Sequence, residues 1–341
     1  MRPYEIGDPE IDRLIEELVT AAGGGANQDL IEEMIVTTLK LLRDDAERGD
    51  VKLANTALKE MRYPFRIFSR FRDVHKVSIF GSARTKPDSP DYKMAAEFAR
   101  IMTEDRNWMV ITGAGPGIME AGNEGAGRER SFGVNIRLPF EADANRHVLP
   151  DRLINFKYFF TRKLIFVKES HAFALFPGGF GTMDEAFEAL TLIQTGKSPM
   201  APIVLIESDG TGYWETWEAF VRDDLLGNGM ITTEDLGLFT HAHDVTAAAD
   251  AICDFYLNYQ SQRYVNGNLV LRMLRGPDDE LLEELNEEFA DIVVTGTMVR
   301  TAASPSEVLE GDSPELDRIS FQFNRRHFGR LRQLINKLNQ L

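Results

Sequence analysis

Cysteine is nearly missing from this chain: Cys253 is the single one in 341 residues. An internal disulfide is impossible, and a cysteine-based zinc site is excluded. Positive charge is also short, with 38 Lys and Arg against 54 Asp and Glu and a net charge of −16. Such a chain is poorly suited to grip the phosphate backbone of DNA or RNA, so no nucleic-acid partner is expected. A small phosphorylated molecule can still be held where local geometry outweighs net charge. Long hydrophobic runs are lacking too. The start, MRPYEIGDPEIDRL, has no apolar signal core, and APIVLI at 201–206 is far too short to cross a bilayer. No membrane partner is expected, and a cytoplasmic location is the default. Of the histidines, His241 and His243 alone lie close together, in a loop with Asp244 beside them, which is a poor set for a metal. There is no Walker A loop, no G-x-S-x-G elbow, and only a poor match to G-x-G-x-x-G in GAGPGIME. Neither a serine hydrolase nor an NAD enzyme is indicated, and no cofactor is expected.

What remains is the composition of an ordinary globular protein, 43% hydrophobic and 27% charged. Residues 1–73 read as helical. Ile11, Leu14, Ile15 and Leu18 recur at helical spacing, GGGA at 23–26 interrupts, and Asp29 is a candidate cap for the next helix. A third helix is expected over about 51–61. This extension serves packing, dimerisation or regulation. From residue 74 the rhythm changes to short apolar strands alternating with helices: VHKVSIF, WMVIT, FGVNIRL, HAFALF and APIVLIE lead into helical runs, one of them NFKYFFTRKLIFVKES. That alternation predicts an α/β domain over 74–265, with a doubly wound, mostly parallel, Rossmann-like sheet. Residues 266–341 read as a small α+β unit of order βαββα, with an acidic helix and a basic helix able to pair. It is a structural cap or a dimer element.

Three glycine-rich turns follow strands: GSAR from Gly81, GAGPG from Gly113, and PGGFGT from Pro177. In open α/β sheets ligands bind beyond the carboxyl ends of the strands, and glycine lets an anion approach helix N-terminal amides. Three such turns can form one rim for a phosphorylated ligand, although tight turns also need glycine for their own sake. Glu185 follows Thr182 by three residues. It is either the N3 partner of a Thr182 capping box or a carboxylate facing the same pocket. Asp184 is expected on the solvated surface. Arg162 and Lys163, in FFTRK, are either a solvated helix edge or, for Arg162, a bidentate phosphate or sugar ligand.

PGGFGTMDE fits the pattern PGGxGTxxE. Together with GSAR, TGAGPGIMEAGNEGA, GVNIRLPFE and FFTRK in that order, it resembles the Lonely Guy family of nucleoside 5′-monophosphate phosphoribohydrolases. Relatives of that family carry the older label "lysine decarboxylase". The resemblance covers residues 74–208 well and continues more loosely to about 262. TGAGPG differs from the commoner TGGGPG by one small residue, and the two extensions make the chain similar to the longer bacterial form.

The resemblance implies hydrolysis of the N-glycosidic bond of a nucleoside 5′-monophosphate, AMP-like or a cytokinin riboside monophosphate, to free base and ribose 5-phosphate. It also implies a homodimer or higher oligomer and no metal. Arg162 and Glu185 match the family's catalytic pair, and Gly178, Gly179, Gly181 and Thr182 its phosphate loop. With Gly81, Ser82, Gly113, Gly115, Glu120, Lys163 and Pro177 they complete the candidate substrate- and phosphate-binding set. Glycosidic cleavage builds positive charge on the sugar, which an anionic Glu185 stabilises. A carrier of a phosphorylated cofactor such as the molybdenum cofactor, or a nucleotide sensor, is the alternative. A decarboxylase using pyridoxal phosphate would need a lysine beside the glycine turns, and Lys163 is the only candidate.

Overall fold

In the computed structural model the described residues are 4–137 and 144–341. Part of the GVNIRLPFE match therefore lies outside them. The chain forms two compact units, Met1–Arg62 and Tyr63–Leu341.

The first unit contains α1 (Pro9–Ala21), α2 (Gln28–Arg43) and most of α3 (Arg48–Phe68). Asp8 starts α1 by accepting the amides of Glu10 and Ile11, with Pro9 in the first turn. Asp29 is not the cap of α2; that position is Asn27, and Asp29 lies in the first turn, where its charge favours the helix dipole. Ile6, Ile15 and Val36 form a small core. Helix α3 is longer than its expected 51–61 and runs through Pro64 into the aromatic stretch.

The second unit is built on a seven-stranded sheet: β1 (Lys76–Phe80), β2 (Met109–Thr112), β3 (Ser131–Ile136), β4 (Leu153–Phe156), β5 (Ala172–Leu175), β6 (Ile203–Ile206) and β7 (Phe239–Ala242). Every pairing is parallel, in the order β4-β3-β2-β1-β5-β6-β7. Alternation along each strand feeds two cores. Val77, Ile79, Val110, Ala172, Ala174, Val204 and Ile206 face α4 (Pro90–Arg100), α5 (Ile118–Ala126) and α9 (Val245–Asp254). Phe80, Met109, Ile111, Phe173, Leu175, Ile203 and Leu205 face α6 (Phe159–Glu169) and α7 (Phe180–Gln194), while α8 (Tyr213–Phe220) buries Trp214 and Trp217 in the same core. This is the doubly wound α/β arrangement that the alternation predicts. The helix expected from Asn155 begins only at Phe159; Asn155 and Phe156 instead end β4, a four-residue edge strand.

The α6–α7 core continues without a break into a second, antiparallel sheet of order β10-β11-β9-β8. Its members are β8 (Tyr259–Val265), β9 (Asn268–Met273), β10 (Val299–Arg300) and β11 (Asp317–Phe321), with α10 (Asp279–Glu288), α11 (Pro305–Glu310) and α12 (Phe328–Leu338). The sequence reading starts this part at 266; the sheet starts at Tyr259. The hairpin turn is Asn266-Gly267, both with positive φ, the residue pair that a two-residue hairpin prefers. The expected strand DIVVTGTMV shrinks to β10 and one isolated bridge, and the expected loop 301–314 contains α11. The acidic and basic helices do pair: Lys337 bridges to Glu284 and Glu288.

Candidate functional site

The strand order reverses direction at one place. From β1 the chain winds outward through β2, β3 and β4, then returns to lay β5 against the other side of β1. Such a switch point leaves a crevice beyond the carboxyl ends of the two strands. Here those ends run into Gly81-Ser82 and Pro177-Gly178. The crevice is a cleft of about 690 Å³.

Close backbone approach joins the three glycine turns. Ser82 donates its amide to Pro177 O at 3.0 Å, and Ile118 donates its own to Ser82 O at 3.0 Å. A Cβ at Gly117 would fall 2.3 Å from Ser82 O, and φ there is +69°, so this glycine is demanded by the packing itself. A Cβ at Gly113 would fall 2.7 Å from Arg162 Nη2, so the guanidinium occupies space that glycine leaves. Ala114 adopts φ +58°, held by Thr112 Oγ1 accepting its amide and by Asn145 N donating to its carbonyl. Gly179 and Gly181 differ. A Cβ at either would meet nothing within 4 Å, which leaves open space in front of the start of α7.

Helix α7 begins with Gly179 as its N-cap and no side chain capping it. The first amides of a helix lack internal partners and carry the positive end of its dipole. These amides border the cleft, so the helix start can receive an anion. The cap position also decides between the two readings of Glu185. Thr182 is the third helical residue, not the cap, so there is no capping box. Glu185 instead lines the cleft and is 9% exposed. Burial raises its carboxyl to about 7, against the opposing pull of Lys163 and Arg162.

Arg162 reaches the cleft from α6. Its Nε donates to Val134 O at 2.9 Å, and its guanidinium stacks on Phe166 at 5.0 Å. Lys163 turns away to α7, 2.9 Å from Asp184 and 2.6 Å from Glu188. Burial opposes its charge, but these hydrogen-bonded carboxylates outweigh burial and hold its ammonium above the usual value. Asp184 is exposed as expected, yet it also borders the cleft.

Of the residues singled out in the sequence, Gly81, Ser82, Gly113, Gly115, Arg162, Gly178, Gly179, Gly181, Thr182 and Glu185 line one cleft. Glu120, Lys163 and Pro177 do not line it. Pro177 acts through its carbonyl, Lys163 through Asp184 and Glu188, and Glu120 sits in the first turn of α5. Arg84, Asn135, Phe159 and Phe180 also line the cleft and were not singled out. Arg84 had a signal, as the cation that closes GSAR. Asn135 had none, because its placement depends on where β3 ends.

Fold and cleft together define a Rossmann-like α/β domain with an uncapped helix start at its switch point. Residues 116–252 match the model of the family described as "Possible lysine decarboxylase". That description is the older label of the Lonely Guy family, so residues 116–252 are similar to that family's domain. Among solved structures, an X-ray structure of a structural-genomics target is 21% identical over 52% of this chain and 98% of its own, with a TM-score of 0.40. The molybdenum cofactor binding protein of Rippkaea orientalis is 20% identical over 53% and 94%, with a TM-score of 0.38. The molybdenum cofactor carrier protein of Chlamydomonas reinhardtii is 22% identical over 53% and 96%, also at 0.38. These are loose likenesses of fold. No curated protein matches the chain.

Proposed function

We propose that this protein hydrolyses the N-glycosidic bond of a nucleoside 5′-monophosphate, releasing the free base and ribose 5-phosphate. The observation that carries the reading is a buried carboxylate, Glu185, on the same cleft as the uncapped, glycine-rich start of its own helix. Glu185 lies six residues after Gly179, about 9 Å along the axis, and helical side chains tilt back toward the N-terminus. A phosphate held at residues 179–182 therefore brings the sugar toward Glu185.

Phosphate binding fixes the sugar with energy from a part of the substrate that does not react. As the bond from C1′ to the base nitrogen breaks, positive charge grows on the ring. Ionised Glu185 stabilises that charge and takes a proton from the attacking water, whose oxygen bonds to C1′. Arg162, already braced by Val134 O and Phe166, supplies a fixed cation to the phosphate or ribose hydroxyls. The base leaves with its electron pair and takes up a proton from solvent, and Glu185 releases to solvent the proton it took from the water.

A lysine-linked pyridoxal phosphate does not fit the residues present. No lysine lines the cleft among the described residues, and Lys163 is engaged by Asp184 and Glu188. A second copy of the chain is part of the proposal, since Phe160, Leu164 and Phe187 are exposed apolar residues on α6 and α7, the helices that carry Arg162 and Glu185. The test is incubation of wild type and Glu185→Ala with AMP, then other nucleoside monophosphates, with chromatographic separation of products. Base and ribose 5-phosphate from wild type alone support the reading. Binding without turnover by wild type replaces it with a carrier or sensor.

A further inference from the structure

The phosphate loop is braced from the neighbouring strand by a side chain outside the family motif. Tyr213, the first residue of α8, donates its hydroxyl to Gly178 O at 2.6 Å. We propose that Tyr213 is a positioning residue for anion binding, acting by fixing the peptide between Gly178 and Gly179. The inference rests on the reading of this cleft as a phosphate site.

The physical reason lies in the peptide plane. No described peptide bond is cis, and in a trans peptide the carbonyl of one residue and the amide of the next point in opposite directions. Drawing Gly178 O toward Tyr213 therefore turns the Gly179 N–H away from Tyr213. That amide is the cap position of α7, and Gly179 lines the cleft. With glycine on both sides, this peptide flips more freely than any other in the loop. A flipped peptide would present its carbonyl oxygen, which repels an anion, where the N–H should be.

The hydroxyl is itself firmly aimed. Glu207 follows the end of β6 and is buried. It accepts the amides of Tyr213 at 2.7 Å and Trp214 at 3.0 Å, and the Thr211 hydroxyl. Burial disfavours its charge, but these donors and His241 hold it ionised below the usual carboxylate range. His241, at β7, lies 3.2 Å from Glu207 and 3.1 Å from Glu218. Trp214, fully buried, packs edge-on against the Tyr213 ring and donates its indole N–H to Ile206 O. The first turn of α8 is thereby tied to the sheet, and only the phenol tip reaches the glycine loop.

Tyr213→Phe removes that tip and keeps the ring. The experiment titrates wild type, Tyr213→Phe and Glu185→Gln with ribose 5-phosphate, AMP and adenosine by calorimetry, and follows thermal melting of each. Loss of one such hydrogen bond corresponds to about tenfold in affinity. Tyr213→Phe is expected to weaken ribose 5-phosphate and AMP by about tenfold, leave adenosine unchanged and melt with wild type. In turnover of AMP, KM rises and kcat changes little, because the phosphate contact is the same in ground and transition states. Equal affinity of wild type and Tyr213→Phe for ribose 5-phosphate overturns the inference. So does an equal loss for adenosine, or a lowered melting temperature accompanying the loss, either of which marks a packing role. So does a wild type that binds no phosphorylated probe. If wild type binds AMP without cleaving it, the proposed reaction fails, while the ribose 5-phosphate comparison still decides the role of Tyr213.

Discussion

Replacing Glu185 by glutamine removes a charge and keeps the shape, so it isolates what the buried carboxylate costs the fold. Burial raises this carboxyl from the usual 4.5 to about 7. Each factor of ten in a proton equilibrium is worth about 1.4 kcal/mol, so ionising Glu185 in the folded protein costs about 3 kcal/mol more than in the unfolded chain. The sign follows from linkage. Between pH 4.5 and 7 the folded state holds a proton that the unfolded state has lost, so the contribution is fully present below 4.5 and lost as pH rises through 7. Glu185→Gln is therefore expected to stabilise the protein by about 3 kcal/mol at pH 8 and hardly at all at pH 4. For a unit of this length that is a rise in melting temperature of about 5 °C at pH 8. The assay is thermal melting of both proteins across pH 4 to 8, with AMP turnover measured alongside. A variant that is more stable only at high pH and inactive throughout marks a site where stability is given up for function. Equal melting of the two proteins at pH 8 would refute the reasoning, since the carboxylate would then be as well solvated as in the unfolded chain.

Four further outcomes are expected. With Glu185 ionised as the working form, kcat/KM for AMP falls about tenfold per pH unit below about 7, read from a pH–rate profile. Lys163→Met removes a cation that favours ionised Glu185, so the acid limb of that profile moves to higher pH; an unmoved limb contradicts the assigned coupling. Gly117→Ala combines positive φ with a clash against Ser82 O and costs about 3 kcal/mol or more, whereas Gly179→Ala has open space, melts within about 1 kcal/mol of wild type and weakens AMP binding; urea unfolding and calorimetry separate the two. Glu307, on α11, pairs with Arg272 and Arg318 of the second sheet, and although burial opposes its charge, hydrogen bonds from Ser304 and the Arg272 guanidinium hold it down to about 2. Its stabilisation is present above pH 4.5 and lost as pH falls through 2, and Glu307→Ala, which leaves buried Arg272 with Asp312 and Arg318 with backbone carbonyls alone, costs about 3 kcal/mol by urea unfolding.

The missed elements have identifiable causes. Strand β4 is four residues long at a sheet edge, beside an aromatic run with helical spacing, and local pattern cannot separate the two. The β8–β9 hairpin was legible in Asn266-Gly267, but β8 reads Tyr-Gln-Ser-Gln-Arg-Tyr-Val, with too little apolar alternation to stand out. The capping box between Thr182 and Glu185 fitted the spacing and failed in space, because the helix starts at Phe180, one turn of glycine earlier than the threonine implies.

The sequence by itself determined the alternation of strand and helix, and with it a parallel sheet whose glycine turns all fall at one end. It also determined which residues carry the motif: at Gly117 backbone atoms leave no room for a Cβ, and at Gly81 and Gly113 the side chains of Ile118 and of Met119 and Arg162 take that space. The tertiary structure alone decided that the chain returns from β4 to β5 beside β1, which opens the cleft. It decided that Lys163 engages α7 while Arg162 lines the cleft, and that Tyr213 reaches Gly178 from another strand's helix. The division has one physical cause. Propensity, period and steric size act between near neighbours in the chain, whereas burial, charge pairing and the aim of a side chain depend on partners far away in sequence, whose arrival only the packed fold arranges.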